Sequence, residues 1–141
     1  MAMQVAKSFD TEVAKAFRFL VAELGMSGPS TVGPSAVAYT GHDVSYQISL
    51  DPVTHAVTTR VVKVLGAARF TADLPALVAG AALGSAESVR GGARTLAELR
   101  TTVHNQAEYV RRLQPYMTPL NVLPLMRAAH ANEQPLLQAT P

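Results

Sequence analysis

The chain has 141 residues, of which 48% are hydrophobic, and its twelve basic and ten acidic side chains leave a formal net charge of +2. This length fits one folded domain, and the charge lies far below the clustered Lys and Arg excess of a dedicated nucleic-acid binder. With no cysteine in the sequence, disulfides and thiolate metal sites are excluded. We therefore expect a cytoplasmic protein that needs no metal or cofactor.

Membrane insertion is also excluded by the sequence pattern. The N-terminal segment MAMQVAKSFD has no apolar run of the kind found in a signal peptide. The most apolar stretch, residues 74–83, is interrupted by Pro75 and Gly80. It is much shorter than the roughly 20 residues that span a bilayer.

The N-terminal part predicts an amphipathic helix over residues 10–25. Asp10 is the expected N-cap, and Gly25 the expected stop. Phe19 does not share the apolar face of this helix and lies on its polar side. Its side chain should therefore be covered by the C-terminal helices or belong to a surface for a partner.

A three-stranded antiparallel meander is predicted next, after a Gly-Pro-rich loop over residues 26–35. The strands are expected over residues 37–39, 44–50 and 57–65, because apolar and polar residues alternate or β-branched residues dominate there. One face of this sheet should be apolar and the other lined with Ser and Thr.

The remainder of the chain is predicted to be helical from Arg69 onward. Thr95 and Glu98 form a capping box for a long helix, and Pro115 should end or kink it. The expected segments are a short helix ending near residue 83, a hinge or frayed helix over 84–94, the long helix over 95–117, a last helix over 119–131 begun by Thr118 and Pro119, and a flexible tail over 132–141.

These elements together predict one α+β domain over residues 1–131. Its order is an N-terminal helix, a three-stranded antiparallel meander, and two to three C-terminal helices. The longest of these helices carries a narrow apolar seam with residues three and four apart, which is typical of a surface that packs against another helix in the same chain or in a second copy. The seam comprises Leu96, Leu99, Val103, Gln106, Val110, Leu113 and Met117.

Candidate binding residues lie on or near this long helix. Gln106, polar within the seam, is either satisfied by solvent at a rim or buried, where it would fix the register between two helices. A protein partner is expected to contact a set of four residues, and nucleic acid, which the modest charge disfavours, would contact a set of three arginines. The first set is Phe19, Gln106, Tyr109 and Arg112, and the second is Arg90, Arg94 and Arg100.

Catalysis has no clear signature in the sequence. Neither a GxSxG elbow, nor an HExxH pair, nor a Walker motif occurs. His104 and Glu108 are four residues apart on a helix, a spacing that is typical of a solvated face with weak ion pairs. We therefore expect a protein that is not an enzyme.

The runs FRFLVAELG (17–25) and VAYTGHDVSYQISLD (37–51) resemble the opening of short bacterial α+β proteins, some of which are immunity proteins of polymorphic toxin systems. The resemblance implies stoichiometric binding to a protein. The hypotheses are thus an immunity-type inhibitor or homodimeric adaptor, a small nucleic-acid-associated protein, or a small-molecule-binding domain with Tyr39 and Tyr46 as walls between sheet and helices.

Overall fold

The structure, a computed structural model, describes residues 2–42 and 44–135, with side chains from Val5 onward. It is an α+β fold, as predicted. Short 3₁₀ turns lie at Ala86–Ser88 and Gln114–Tyr116. The elements in chain order are α1 (Ala2–Ala16), α2 (Arg18–Ala22), β1 (Ser27–Gly33), β2 (Ala36–Thr40), β3 (Ser45–Asp51), β4 (Ala56–Leu65), β5 (Ala68–Asp73), α3 (Leu74–Gly80), α4 (Leu96–Leu113), α5 (Val122–Ala128) and β6 (Asn132–Pro135).

The sheet has six antiparallel strands in the order β1 to β6, twice the predicted number. Strands β2, β3 and β4 are the predicted meander. The prediction was wrong for β1, which was assigned to a loop, and for β5, which was assigned to a helix from Arg69. Strand β6 lies at the start of the predicted tail, whose residues 136–141 are outside the described residues.

Each of the three missed strands has a local reason for its weak sequence signal. Strand β1 is an exposed edge strand with two irregularities in its pairing with β2, and it contains Gly28 and Pro29. Strand β5 has only six residues, with Phe70 and Ala72 as its buried pair. Strand β6 is entirely exposed and shows no alternation. Pairing with a neighbouring strand, rather than local propensity, stabilises all three.

The two faces of the sheet differ sharply. Helices α1, α3 and α4 pack on one face, which we call the covered face. The other, the open face, carries mainly small polar side chains and two arginines. The covered face includes Val37, Tyr39, Tyr46, Ile48, Leu50, Val57, Thr59, Val61, Phe70 and Ala72; the open face includes Ser45, Gln47, Ser49, Thr58, Arg60, Arg69 and Thr71.

The N-terminal helix begins much earlier than residue 10, so Asp10 is an exposed residue inside α1 and not its N-cap. The helix breaks at Phe17, whose backbone (φ −98°, ψ 12°) is not helical, and α2 begins at Arg18. This break lets Phe17 and Phe19 both face the core. A single continuous helix cannot bury both, which explains why the sequence placed Phe19 on the polar side.

The long helix α4 confirms the predicted cap and end. The Thr95 hydroxyl accepts a hydrogen bond from the Glu98 backbone N–H at 3.1 Å, and the helix ends at Leu113, before Pro115. All of the seam is buried except Leu96, which is half-buried. The seam packs against α1, α3 and β4 of the same chain.

The last helix is shorter than predicted. It begins at Val122, with Asn121 in place of Thr118 at the N-cap. Pro124 therefore falls in its first turn, where a missing N–H has no helical partner to lose. Within the described residues, no helix is both long enough and apolar enough to cross a membrane.

Candidate functional site

Gln106 is only 2% exposed and links three parts of the fold. Its amide nitrogen donates to the carbonyl oxygens of Val57 at 2.9 Å and Arg90 at 2.6 Å, while its amide oxygen accepts from the Thr59 hydroxyl at 2.7 Å. The predicted position at a rim is wrong. The alternative, a buried Gln106, is confirmed, but its partners lie on β4 and before α4 and not on a second helix. The three hydrogen bonds of Gln106 hold α4 against β4 and against the segment before α4.

That segment, residues 84–94, was predicted to be a hinge or a frayed helix. Apart from the 3₁₀ turn at Ala86–Ser88 it is not helical, and hydrogen bonds hold its backbone in place. The Arg90 backbone N–H donates to the Asn105 side-chain oxygen at 2.8 Å, and the Ala93 backbone N–H donates to the carbonyl oxygen of His55 at 2.8 Å. Gly92 forms an antiparallel bridge with Ala56, so this part of the segment runs beside the start of β4. The segment thereby places Arg90 beside the exposed side of α4.

Phe19 is covered within the chain. Its ring is 6% exposed and stacks on Phe17 with the ring centroids 6.3 Å apart. The Arg111 guanidinium carbon lies 4.3 Å from the centroid of the Phe19 ring. Arg111 in turn donates to the Glu23 carboxylate at 3.0 Å. Arg111 thus covers the Phe19 ring, and little of Phe19 itself is accessible to a partner.

Tyr109 and Arg112 form a second arginine–aromatic pair on the outer side of α4. The Arg112 guanidinium carbon lies 5.3 Å from the Tyr109 ring centroid, and the Tyr109 hydroxyl donates to the Ser88 hydroxyl at 2.9 Å. Arg112 also lies 3.7 Å from the Glu108 carboxylate. Both predicted contact residues are therefore accessible and held in place.

Two hollows meet on this side of the molecule. They share His104 and Glu108, and together they expose six cationic side chains and two carboxylates. We call this region the basic helix surface. Its charged residues are Lys15, Arg18, Glu23, Arg90, Arg100, Glu108, Arg111 and Arg112.

The predicted arginine set for nucleic acid is only partly brought together. Arg90 and Arg100 line one hollow of the basic helix surface, whereas Arg94 lines neither hollow. Arg100 donates to the Glu12 carboxylate at 3.1 Å. Two of the three predicted residues thus belong to the same surface as Tyr109 and Arg112.

The two tyrosines proposed as walls of a ligand pocket are both fully buried in the core. The Tyr46 hydroxyl donates to the Gln114 side-chain oxygen at 2.5 Å, and burial raises its pKa. The Tyr39 hydroxyl has no hydrogen-bond partner among the described residues, and burial raises its pKa to about 12. Packed side chains therefore occupy the space that the small-molecule hypothesis required between sheet and helices.

Sequence reasoning missed Arg111 as a site residue. The available signal was the position of Phe19 on the polar side of its helix. An aromatic ring there needs a side chain to cover it, and a cationic side chain can cover the ring while it stays in contact with solvent. Among residues 2–42 and 44–135, no group of three or more His, Asp or Glu side chains is placed to hold a metal ion.

Three comparisons with known proteins identified no relative of this chain. A scan of protein-family models, a search of the curated proteins and a search of the solved structures each found no match to the chain. Function is therefore inferred from the residues themselves.

Proposed function

We propose that the protein is a non-enzymatic interaction module that binds an acidic surface of a protein partner through the basic helix surface. The observation that carries the proposal is the pair of arginines, Arg111 and Arg112, held above the rings of Phe19 and Tyr109. Arginine and tyrosine are over-represented among the residues that supply most of the energy of protein–protein binding. Stacking already restricts these long side chains in the free protein, so they lose less conformational entropy on binding.

Charge indicates what kind of partner fits. The residues that line the basic helix surface have an excess of four positive charges, or three when Glu12, the ion-pair partner of Arg100, is counted with them, while the whole chain has a net charge of only +2. The remainder of the chain therefore has a small net negative charge, and positive charge is denser on the basic helix surface than over the remainder. A partner with clustered Asp and Glu would be steered to this side and held in one orientation.

Self-association is disfavoured by two features. The apolar seam, through which a homodimer was predicted, is buried within the chain. A symmetric dimer through the basic helix surface would place the same cationic patch on both subunits, because a twofold interface is self-complementary. Like charges would then face each other, so a different protein is the better partner.

Nucleic acid is also less suitable than protein. Arg100, Arg111 and Arg112 each lie within 4 Å of a carboxylate, on Glu12, Glu23 and Glu108 respectively. A phosphate backbone would meet these carboxylates as well as the arginines. A partner protein can place Asp and Glu opposite the arginines and uncharged or basic side chains opposite the three carboxylates, whereas a phosphate backbone repeats one sign of charge.

An immunity-type inhibitor is the specific form of this proposal. Residues 17–25, the first of the two runs that resemble the opening of such proteins, contribute Arg18, Phe19 and Glu23 to the basic helix surface. The partner would then be a toxin domain with an acidic face, bound one to one.

The test begins with capture from lysate of the source cells on the immobilised wild-type chain and on Tyr109→Ala and Arg111→Ala variants. A protein lost from both variants is identified, purified and titrated calorimetrically against the same three chains. We expect one-to-one binding, weakened about 30-fold by each substitution, since hot-spot truncations cost about 2 kcal/mol or more.

The matched control is Arg127→Ala, which removes an exposed arginine of α5 outside the basic helix surface. It should change the dissociation constant by less than about twofold, as expected of a residue outside the interface. Equal binding by all variants contradicts the proposal. Capture that nuclease treatment abolishes would instead support the nucleic-acid hypothesis.

A further inference from the structure

The open face of the sheet carries a cavity of about 540 Å³ at its β5–β6 end. Its floor is formed by Val62, which is 7% exposed, and its far wall by Ala129 and His130 after α5. This volume is within the range of small-molecule sites in proteins. The cavity lies on the side of the sheet away from α4, so it is separate from the basic helix surface.

Two arginines stand on opposite sides of this floor. Arg60 and Arg69 lie on adjacent strands, two cross-strand rows apart, which corresponds to about 13 Å along the strand direction. Long side chains from these positions can both reach a group above the middle row. The rows are Arg60–Asp73, Val62–Thr71 and Val64–Arg69.

The hydrogen bonds of these arginines leave donors free. Arg60 uses Nε to donate to Asp73 at 3.2 Å, which fixes the guanidinium while its two terminal amino groups bond to no described acceptor. Arg69 forms no ion pair with any described residue. Asp73, the one carboxylate among the described residues that line the cavity, is therefore already engaged, and the free groups are cationic donors.

Other polar side chains surround the same space. The cavity is lined by the amides of Gln47, Asn132 and Gln134, by the Thr71 hydroxyl and by the His130 imidazole. Guanidinium donors together with amide and hydroxyl donors are a typical recognition set for the oxygens of phosphate or carboxylate. The apolar floor, together with Ala76 and Ala129, suits a compact apolar body attached to such a group.

We propose that this cavity binds a small organic oxyanion, a phosphate monoester or a carboxylate that carries a compact apolar group. Arg60 and Arg69 bind the anionic oxygens, Thr71 and Gln47 orient them, and Val62 contacts the apolar part. The proposal does not depend on the basic helix surface or on its protein partner.

The test uses phenyl phosphate, benzoate and the neutral benzyl alcohol as probes, each titrated into isotopically labelled full-length protein at constant ionic strength. Backbone amide shifts locate the binding, and calorimetry gives the affinity. We expect saturable shifts in β3 to β6 with phenyl phosphate, benzoate or both, and a much smaller response to benzyl alcohol. The two anions show whether the site prefers phosphate or carboxylate.

Arg69→Gln is the decisive variant, and Arg94→Gln, at an exposed arginine outside both this cavity and the basic helix surface, is its control. Losing one charged donor pair should weaken binding about tenfold or more in the first variant and leave it unchanged in the second. Both variants should keep the wild-type amide spectrum away from the substituted residue. Binding without saturation, shifts spread over the basic helix surface, or equal weakening by both variants would overturn the proposal.

Discussion

The covered and open faces of the sheet are made by the same strands but are used in opposite ways. On β3, Ile48 is fully buried beneath the helices, and its neighbour Gln47 is half-buried on the open side beside a cavity. Because side chains alternate along a strand, each residue belongs to one face only. Stability is therefore concentrated on one face, and the other is free to evolve a binding site.

Packing around the covered face includes a small polar cluster as well as apolar side chains. Thr59 is 1% exposed on β4 and donates to the buried Gln106 of α4. A hydrogen bond inside a core is directional, so it selects one position of a helix over a sheet, which apolar contacts alone specify less strictly. On the open face, no buried hydrogen bond is needed to position a helix over the sheet.

The largest expected effect comes from neighbouring residues on opposite faces of β3. Ile48→Ala should lower the free energy of unfolding by about 2–5 kcal/mol, because it leaves a cavity in the core. Gln47→Ala should change it by less than about 0.5 kcal/mol. Urea titrations of both variants followed by circular dichroism measure this difference. Similar losses would show that the open face also contributes to the core.

A smaller loss is expected from the polar link between α4 and β4. Gln106→Leu should cost about 2–3 kcal/mol, because it strands the Thr59 hydroxyl and two carbonyl oxygens inside the protein. Amide hydrogen exchange should accelerate over residues 84–94, whose backbone Gln106 holds. Glu108→Gln, an exposed change two residues further along α4, is the control and should alter neither quantity. Unchanged exchange in Gln106→Leu would argue against this link.

The smallest effect at neutral pH is expected at Tyr39. Its buried hydroxyl has no described partner, so Tyr39→Phe should be as stable as the wild type or slightly more so near pH 7. The pKa of Tyr39 is raised to about 12 in the folded chain, compared with about 10 when unfolded.

The stability that depends on this shift is fully present below the unfolded pKa and is lost as pH rises through the folded pKa. Tyr39 should therefore remove about 1.4 kcal/mol per pH unit between about pH 10 and pH 12. The Tyr39→Phe variant should resist alkali better than the wild type, although Tyr46, whose pKa is also raised, still contributes. Unfolding titrations at several alkaline pH values measure this difference, and identical alkaline curves would contradict it.

Local signals predicted some elements of this fold well. The cap at Thr95, the stop before Pro115 and the alternation through Tyr46 and Ile48 each depend on residues close in sequence. Strand β5 is different, because its six residues become a strand by pairing with β4, and the sequence of β5 alone cannot show that partner.

The candidate surface was likewise predictable only in part. Tyr109 and Arg112 lie on one helix, so their proximity follows from helical spacing. Arg111 over Phe19 joins residues 92 positions apart, and it requires the break at Phe17. The break has no glycine or proline to mark it. Gln106 was recognised as exceptional, but its partners on β4 and at Arg90 are set by tertiary packing.

The edges of the sheet bear on how the chain behaves in a crowded solution. An edge strand with free N–H and C=O groups is a template for other strands and a common origin of fibrils. Here β1 is interrupted by two irregularities and by Pro29, which has no N–H to offer, and β6 is a short strand with Glu133 and a terminal Pro135. Both edges therefore present poor templates, which protects the chain against aggregation through its long antiparallel sheet.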